Sequence, residues 1–123
     1  MLYADSEQNA DQLYFGRVSV PDPFISFQLG NKKYAVLSAL EFRRVKRDSV
    51  FDVVLPLEAW SREAKARFRT DLLTPAEVIT VLARHYRIRR FAVAGDFPAL
   101  LLRRLEKYGL KIDIADGPFF PER

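Results

Sequence analysis

Residues 91–96 read Phe91-Ala92-Val93-Ala94-Gly95-Asp96. Four consecutive apolar residues stand between the basic cluster Arg87, Arg89 and Arg90 and a Gly-Asp break. That pattern predicts an inner strand buried on both faces. Behind it Phe97, Leu101, Leu105 and Tyr108 recur at helical spacing, and Gly109 stops the stripe. Asp96 is the expected N-cap of that helix. After the glycine, Leu110, Ile112 and Ile114 alternate with Lys111 and Asp113, which predicts a strand with one buried face. Residues 91–115 are therefore expected to form a strand-helix-strand unit with a right-handed crossover, and such a unit needs a sheet to join.

The chain upstream supplies one. Met1 to Ala4 reads as a short strand, and Asp5 or Ser6 as the cap of a short helix running to Gln12, before Leu13-Tyr14-Phe15 leads into Gly16. Arg17 to Pro23 carries two prolines around Asp22 and no stripe, so it reads as a loop. Phe24 to Leu29 alternates as a strand does, Gly30 to Lys33 is a polar turn, and Tyr34 to Leu37 is the second arm of a hairpin. Ser38 with Glu41 has the form of a capping box for a helix whose Leu40 and Val45 face inward. Val50 to Leu55 is the next strand, ended by Pro56, with the charge of Asp52 turned outward. Leu57, Trp60, Ala64 and Phe68 form the core stripe of a further helix. Thr74-Pro75-Ala76-Glu77 is a stronger start signal, a capping box with proline at the first helical position, and Val78, Ile79, Leu82 and Tyr86 follow as its buried face. Strands alternating with helices after a hairpin imply a three-layer α/β domain, its mixed, about six-stranded sheet covered by helices.

At 123 residues and 49% hydrophobic, the chain has the size and composition of a single globular domain. It has no cysteine, which excludes disulfides and thiolate metal sites and is compatible with the reducing cytoplasm, the expected location. No apolar run approaches the length of a secretory or membrane-spanning segment, so no membrane partner is expected. The formal charge of +4 is uneven: residues 1–61 net −1 and residues 62–123 net +5. A basic half can meet nucleic acid or an acidic partner. The arginines are scattered among helical positions without a nucleic-acid motif, however, and read as solvated helix faces.

The usual chemical signatures are missing. The single histidine, His85, falls among helical positions beside Arg84, with no HExxH spacing, and reads as a helix-surface residue. There is no GxGxxG and no GxxxxGK[ST], so the lone Gly95 reads as turn chemistry and not as a phosphate cradle. A metal-dependent nuclease of ribonuclease H type would need converging acids. Asp5, Asp11, Asp22, Glu41, Asp48 and Asp52 form no recognisable pair.

The stretch Asn9-Ala10-Asp11-Gln12-Leu13-Tyr14-Phe15-Gly16 resembles the Asn, Tyr, Gly pattern near the start of the creatinase/prolidase amino-terminal domain, where the family usually reads N-x-x-Y-L-T-G-F. The family's threonine is absent, Phe15 directly preceding Gly16 and Arg17 following it, and the aspartate common after the hairpin is Ser38. Pro118-Phe119-Phe120-Pro121-Glu122-Arg123 is similar to the segment that leads into the family's catalytic domain.

The resemblance implies a fold of creatinase N-terminal type, with a ribonuclease H-like motif, over residues 1–123. It also implies a parent protein that is a metal-dependent Xaa-Pro dipeptidase, an aminopeptidase P or a non-peptidase relative such as creatinase. The pita-bread catalytic domain would follow Arg123 and carry two divalent ions (Mn, Co or Zn) on two aspartates, a histidine and two glutamates. This chain would then hold no catalytic residue and no cofactor. Its implied partners are its own catalytic domain, a second copy in a homodimer, and a proline-containing peptide. The loop from Arg17 to Phe24 is the implied place of contact with substrate or dimer partner, with Arg17, Asp22 and Phe24 as the residues concerned.

Overall fold

The computed structural model describes residues 1–4, 6 and 9–115. The expectations on Asp5 and on the segment from Pro118 to Arg123 lie outside these residues. In chain order the elements are β1 (Leu2–Ala4), α1 (Ala10–Gly16), β2 (Phe24–Leu29), β3 (Lys32–Leu37), α2 (Ala39–Asp48) and β4 (Val53–Pro56). They continue with α3 (Leu57–Phe68), α4 (Pro75–His85), β5 (Arg90–Val93), α5 (Ala99–Lys107) and β6 (Lys111–Ile114).

The six strands form two ladders. One is a mixed sheet in the order β1-β2-β3-β4, with β2 antiparallel to both neighbours and β3 parallel to β4; the other is the parallel pair β5-β6. They meet where the Met1 amine donates to the Ala92 carbonyl at 2.7 Å. Helices cover both faces, so the domain has three layers. Ile25, Phe27, Tyr34 and Val36 point to α3, α4 and α5 and share a core with Ala64, Ile79, Leu82, Leu105, Phe91 and Val93. Phe24, Ala35 and Leu37 point the other way, against Phe15 of α1 and Val45 of α2. The alternation of β2 and β3 makes this division, because successive side chains leave a strand on opposite faces.

Local signals explain most boundaries. Glu77 accepts from both the Thr74 N–H (2.7 Å) and the Thr74 hydroxyl (2.8 Å), which completes the start of α4. From Ala76 to Ala83 this helix is buried all round, since it packs between α3 and α5 as well as on the sheet. Gly30 takes a positive φ of 61° in the two-residue hairpin turn.

Six expectations are corrected. β5 is buried on one face only: Phe91 and Val93 are inside while Ala92 is exposed, because α1 and α2 do not extend over this end of the sheet. Asp96 does not cap α5, which starts behind Pro98; its carboxylate instead accepts from Asn9 Nδ2 at 3.1 Å. The cap of α1 is Asn9, whose Oδ1 accepts from the Gln12 N–H at 3.0 Å, and Ser6 bonds Val20. Leu40 is 85% exposed, since a spacing of five residues from the buried Val45 places it on another side of the helix. Strand β4 begins only at Val53, because Asp52 receives the Lys33 N–H on its carboxylate (2.7 Å) and returns its own N–H to the Lys33 carbonyl (2.8 Å). At the sheet margin Ile114 is also exposed, although Leu110 is buried as expected.

Gly16 has a packing reason. A Cβ there would lie 2.5 Å from Phe51 Cε2 and 2.7 Å from Cζ, and the Phe51 ring also meets Phe15 and Phe24 edge-on. The left-handed residue that ends α1 is Arg17, at φ 57°. Gly16→Ala is accordingly expected to cost about 1–3 kcal/mol by overpacking, read as a lowered midpoint in denaturant. Val93→Asp, placing a charge at a fully buried position, should cost several kcal/mol and unfold the domain. Arg62→Ala, on an exposed helix face, should leave the melting temperature nearly unchanged; an unchanged melting temperature for Val93→Asp would contradict the packing described.

Candidate functional site

A cleft of about 320 Å³ opens at the end of the sheet where β3 delivers the chain to α2. Its apolar wall comes from Phe24 and Ile25 at the start of β2, Leu37 at the end of β3, and Leu57, Leu73 and Val78 from the helical layer. Its polar rim is set by Asp22, Ser38, Glu41, Ser61 and Thr74, with Tyr3 from β1. It lies outside the carboxyl ends of β3 and β4, which run parallel there, the place where open α/β sheets commonly receive ligands.

Glu41 and Thr74 are the rim groups held by side-chain hydrogen bonds. Ser38 is the N-cap residue of α2 but makes no side-chain cap bond; Glu58 does that work from α3, both its oxygens accepting from the Ala39 N–H at 3.1 Å. Glu41 instead pairs with Arg44 at 2.6 Å, and the Arg44 guanidinium also donates to the Ser19 carbonyl at 2.8 Å. That pairing tethers α2 to the loop before β2. Burial pushes the Tyr3 hydroxyl above its ordinary pKa of 10.0.

The loop from Arg17 to Pro23 is pinned at several points. Val18 and Val20 are buried, the Val50 N–H donates to the Gly16 carbonyl at 3.0 Å, and the Ser6 N–H donates to the Val20 carbonyl at 3.0 Å. Behind it the Gln12 carboxamide, fully buried, donates to the carbonyls of Ala4 (3.1 Å) and Phe24 (2.9 Å) and accepts from the Ser26 hydroxyl.

The three residues expected in contact with substrate or partner are thus not brought together. Asp22 stands exposed on the rim and makes no hydrogen bond or ion pair with another described residue. Phe24 reaches the cleft but is 5% exposed and belongs to the core. Arg17 lies outside the lining, its guanidinium 4.4 Å above the Tyr14 ring centre. Sequence reasoning missed Tyr3, Ser38 and Ser61 as neighbours, and no local signal marks residues that meet only through the fold. His85 is exposed on α4 and packs edge-on to Trp60, in keeping with a helix-surface histidine. Among the described residues no three of His, Cys, Asp and Glu come together as a metal-binding group.

Comparison with known proteins places the fold. No family model matches the chain, and no curated protein matches it. Among solved structures, the X-Pro aminopeptidase from Thermotoga maritima is similar, with a TM-score of 0.66 at 13% sequence identity. The likeness covers 94% of this chain but 30% of that one. The fold is thus the α/β fold of one part of that aminopeptidase. No helix among the described residues is long and apolar enough to cross a membrane.

The wall of the cleft formed by the start of α4 depends on Glu77. Burial acts to raise its pKa, but hydrogen bonds from the Thr74 N–H, the Tyr108 hydroxyl (2.8 Å) and the Thr74 hydroxyl, with the nearby Arg104 charge, outweigh it and hold the carboxyl below its ordinary 4.5. A depressed carboxylate stabilises the fold above its unfolded pKa, and that contribution is lost as pH falls through the folded value. Glu77→Gln should therefore cost about 1–3 kcal/mol at neutral pH. Urea titrations from pH 7 to pH 3 should show the gap to the parent chain closing below about pH 4.5. A gap independent of pH would contradict the role of the charge.

Proposed function

We propose that this chain is the non-catalytic amino-terminal domain of a metal-dependent X-Pro peptidase, and that it contributes dimer contacts and part of the active-site rim. The observation that carries this reading is the unequal coverage of the structural likeness: nearly all of this chain corresponds to under a third of an X-Pro aminopeptidase. The Asn9 to Gly16 pattern supports it independently of the fold. In this reading the reaction and its two divalent ions belong to the catalytic domain, and this chain binds and positions.

The loop before β2 supplies the rim. Pro21 and Pro23 restrict the chain on either side of Asp22, which lowers the entropy lost when it meets a ligand. Asp22 faces the peptide substrate from the cleft, while Arg17, turned onto Tyr14, serves the dimer contact.

Two measurements test this. The chain alone, purified and given Xaa-Pro substrates with manganese or cobalt, is expected to show no turnover above a heat-treated control. In the parent enzyme Asp22→Ala is expected to raise KM several-fold with metal content unchanged, and Arg17→Ala to weaken dimerisation more than it changes KM. Hydrolysis by the chain alone, or a gene that lacks the two-aspartate, one-histidine, two-glutamate set beyond Arg123, would overturn the proposal.

A further inference from the structure

A hollow of about 450 Å³ lies between the ends of α3 and α5 and the first turn of α4. It shares Thr74 with the cleft and is otherwise built from different residues. Its apolar part is the ring pair of Phe68 and Tyr108, both half-buried, with centroids 4.7 Å apart. Leu72 adds to it from the loop after α3 and is 86% exposed, so a large apolar side chain stands in water beside the rings. The Thr70 hydroxyl accepts from the Leu72 N–H at 3.1 Å and fixes that loop. Arg104 and Lys107 line the hollow from α5, where a spacing of three residues puts them on one face.

The charges around it are unequally committed. Glu77, the acid in the lining, is buried and accepts from the Thr74 N–H, the Thr74 hydroxyl and the Tyr108 hydroxyl. Arg104 acts on that carboxylate through its charge alone. Neither Arg104 nor Lys107 makes a hydrogen bond or ion pair with another described residue. Arg44, Arg47, Arg67 and Arg90, by contrast, each have a carboxylate. The helix dipole favours a cation near the end of α5, and that accounts for Lys107. It does not account for a ring pair and an uncovered leucine beside it. The lining sets two positive charges, Arg104 and Lys107, against one negative, Glu77, and the single positive excess suits a monoanion.

We propose that this hollow binds a small carboxylate with an aromatic body, an arylalkanoate, its carboxylate taken by Arg104 and Lys107 and its ring laid against Phe68, Tyr108 and Leu72. The Arg104 guanidinium offers the parallel N–H donors that a planar carboxylate accepts side by side, and Lys107 adds a second charge. The ring of the ligand removes Leu72 and the edges of the aromatic pair from water, the favourable term that a hydrated ion cannot supply. Inorganic phosphate meets the two cations and leaves the apolar part wet. An uncharged aromatic covers the apolar part and leaves both cations without a partner. Only a molecule that carries both halves uses the whole site. The hollow belongs to α3, α4 and α5, lies apart from Asp22, and does not depend on the peptidase reading.

The test titrates phenylpropionate into the isotope-labelled full chain at low salt and follows the backbone amide resonances, with phenylpropanol and inorganic phosphate as comparisons. Phenylpropionate is expected to give saturable shifts at Leu72, Arg104, Lys107 and Tyr108, and each comparison to bind on the order of tenfold more weakly. Lys107→Gln, which removes no contact within the fold, is expected to weaken phenylpropionate several-fold. Arg104→Gln combined with Lys107→Gln should weaken it on the order of tenfold or more, whereas Arg103→Gln, an equal loss of charge on the same helix outside the hollow, should change it less than about twofold. Absence of saturable shifts at these amides, an equal loss in Arg103→Gln, or phosphate or the alcohol binding as tightly as the acid would overturn the site.

Discussion

The buried carboxamide of Gln12 is the constraint on which the cleft end of the molecule rests. One side chain, with no exposure, ties α1 to β1 through Ala4, to the start of β2 through Phe24, and to the middle of β2 through Ser26. A carbonyl stripped of its partner in that position would carry a desolvation cost of about 1–3 kcal/mol, so α1 is held in one place. From there Phe15 reaches Phe51 and the chain leaves α1 at Arg17 in a fixed direction. The loop that follows inherits that direction and is fastened again at Val20 before it can wander. Asp22 stays at the cleft because Val20, two residues before it, and Phe24, two residues after it, are buried.

The two faces of the sheet are unequally furnished, and the consequences run through the whole fold. Three helices lie on one face, and the middle one, α4, is apolar enough to be surrounded. Two short helices lie on the other and cover β2, β3 and β4 but leave β5 bare. The bare face explains why Arg90 and Asp113 form an exposed ion pair at 3.2 Å on the outside of β5 and β6. It also explains how a strand with a fully buried Val93 can carry an exposed Ala92 one residue earlier. Alternation alone sorts the residues; which face is covered is decided by helices far away in sequence.

That division marks what could be read before the fold was known. The hairpin, the Thr74 start of α4 and the stripe of Phe97, Leu101 and Leu105 depend on neighbours in sequence, and the structure has them where periodicity and capping chemistry require. Asp96 and Asp52 each have a plausible local role that a distant group displaces, since Asn9 takes the Asp96 carboxylate and the Lys33 backbone draws Asp52 off the strand, while for Leu40 it is Val45, five residues on, that selects the buried side of α2. Gly16 was legible as a special position, but its reason, the Phe51 ring, is 35 residues away. Gln12, Ser26 and Ser6 carry no sequence signal, since a polar residue inside a protein is recognisable only once its partners are in place.

The cleft obeys the same logic. A fold hosts many functions, so likeness at 13% identity to part of an X-Pro aminopeptidase constrains architecture more than chemistry. What this chain adds is a difference between its two acidic rim groups. Glu41 is neutralised by Arg44, and the pair spends its hydrogen bonds on holding the loop. Asp22 has no such partner among the described residues and projects from between two prolines. An ion pair already formed must be broken before either member can serve a ligand, whereas an exposed, pre-positioned carboxylate has only water to shed. If the rim recognises a charged group, Asp22 is therefore the side chain that does so, and Glu41 keeps the loop where Asp22 can act.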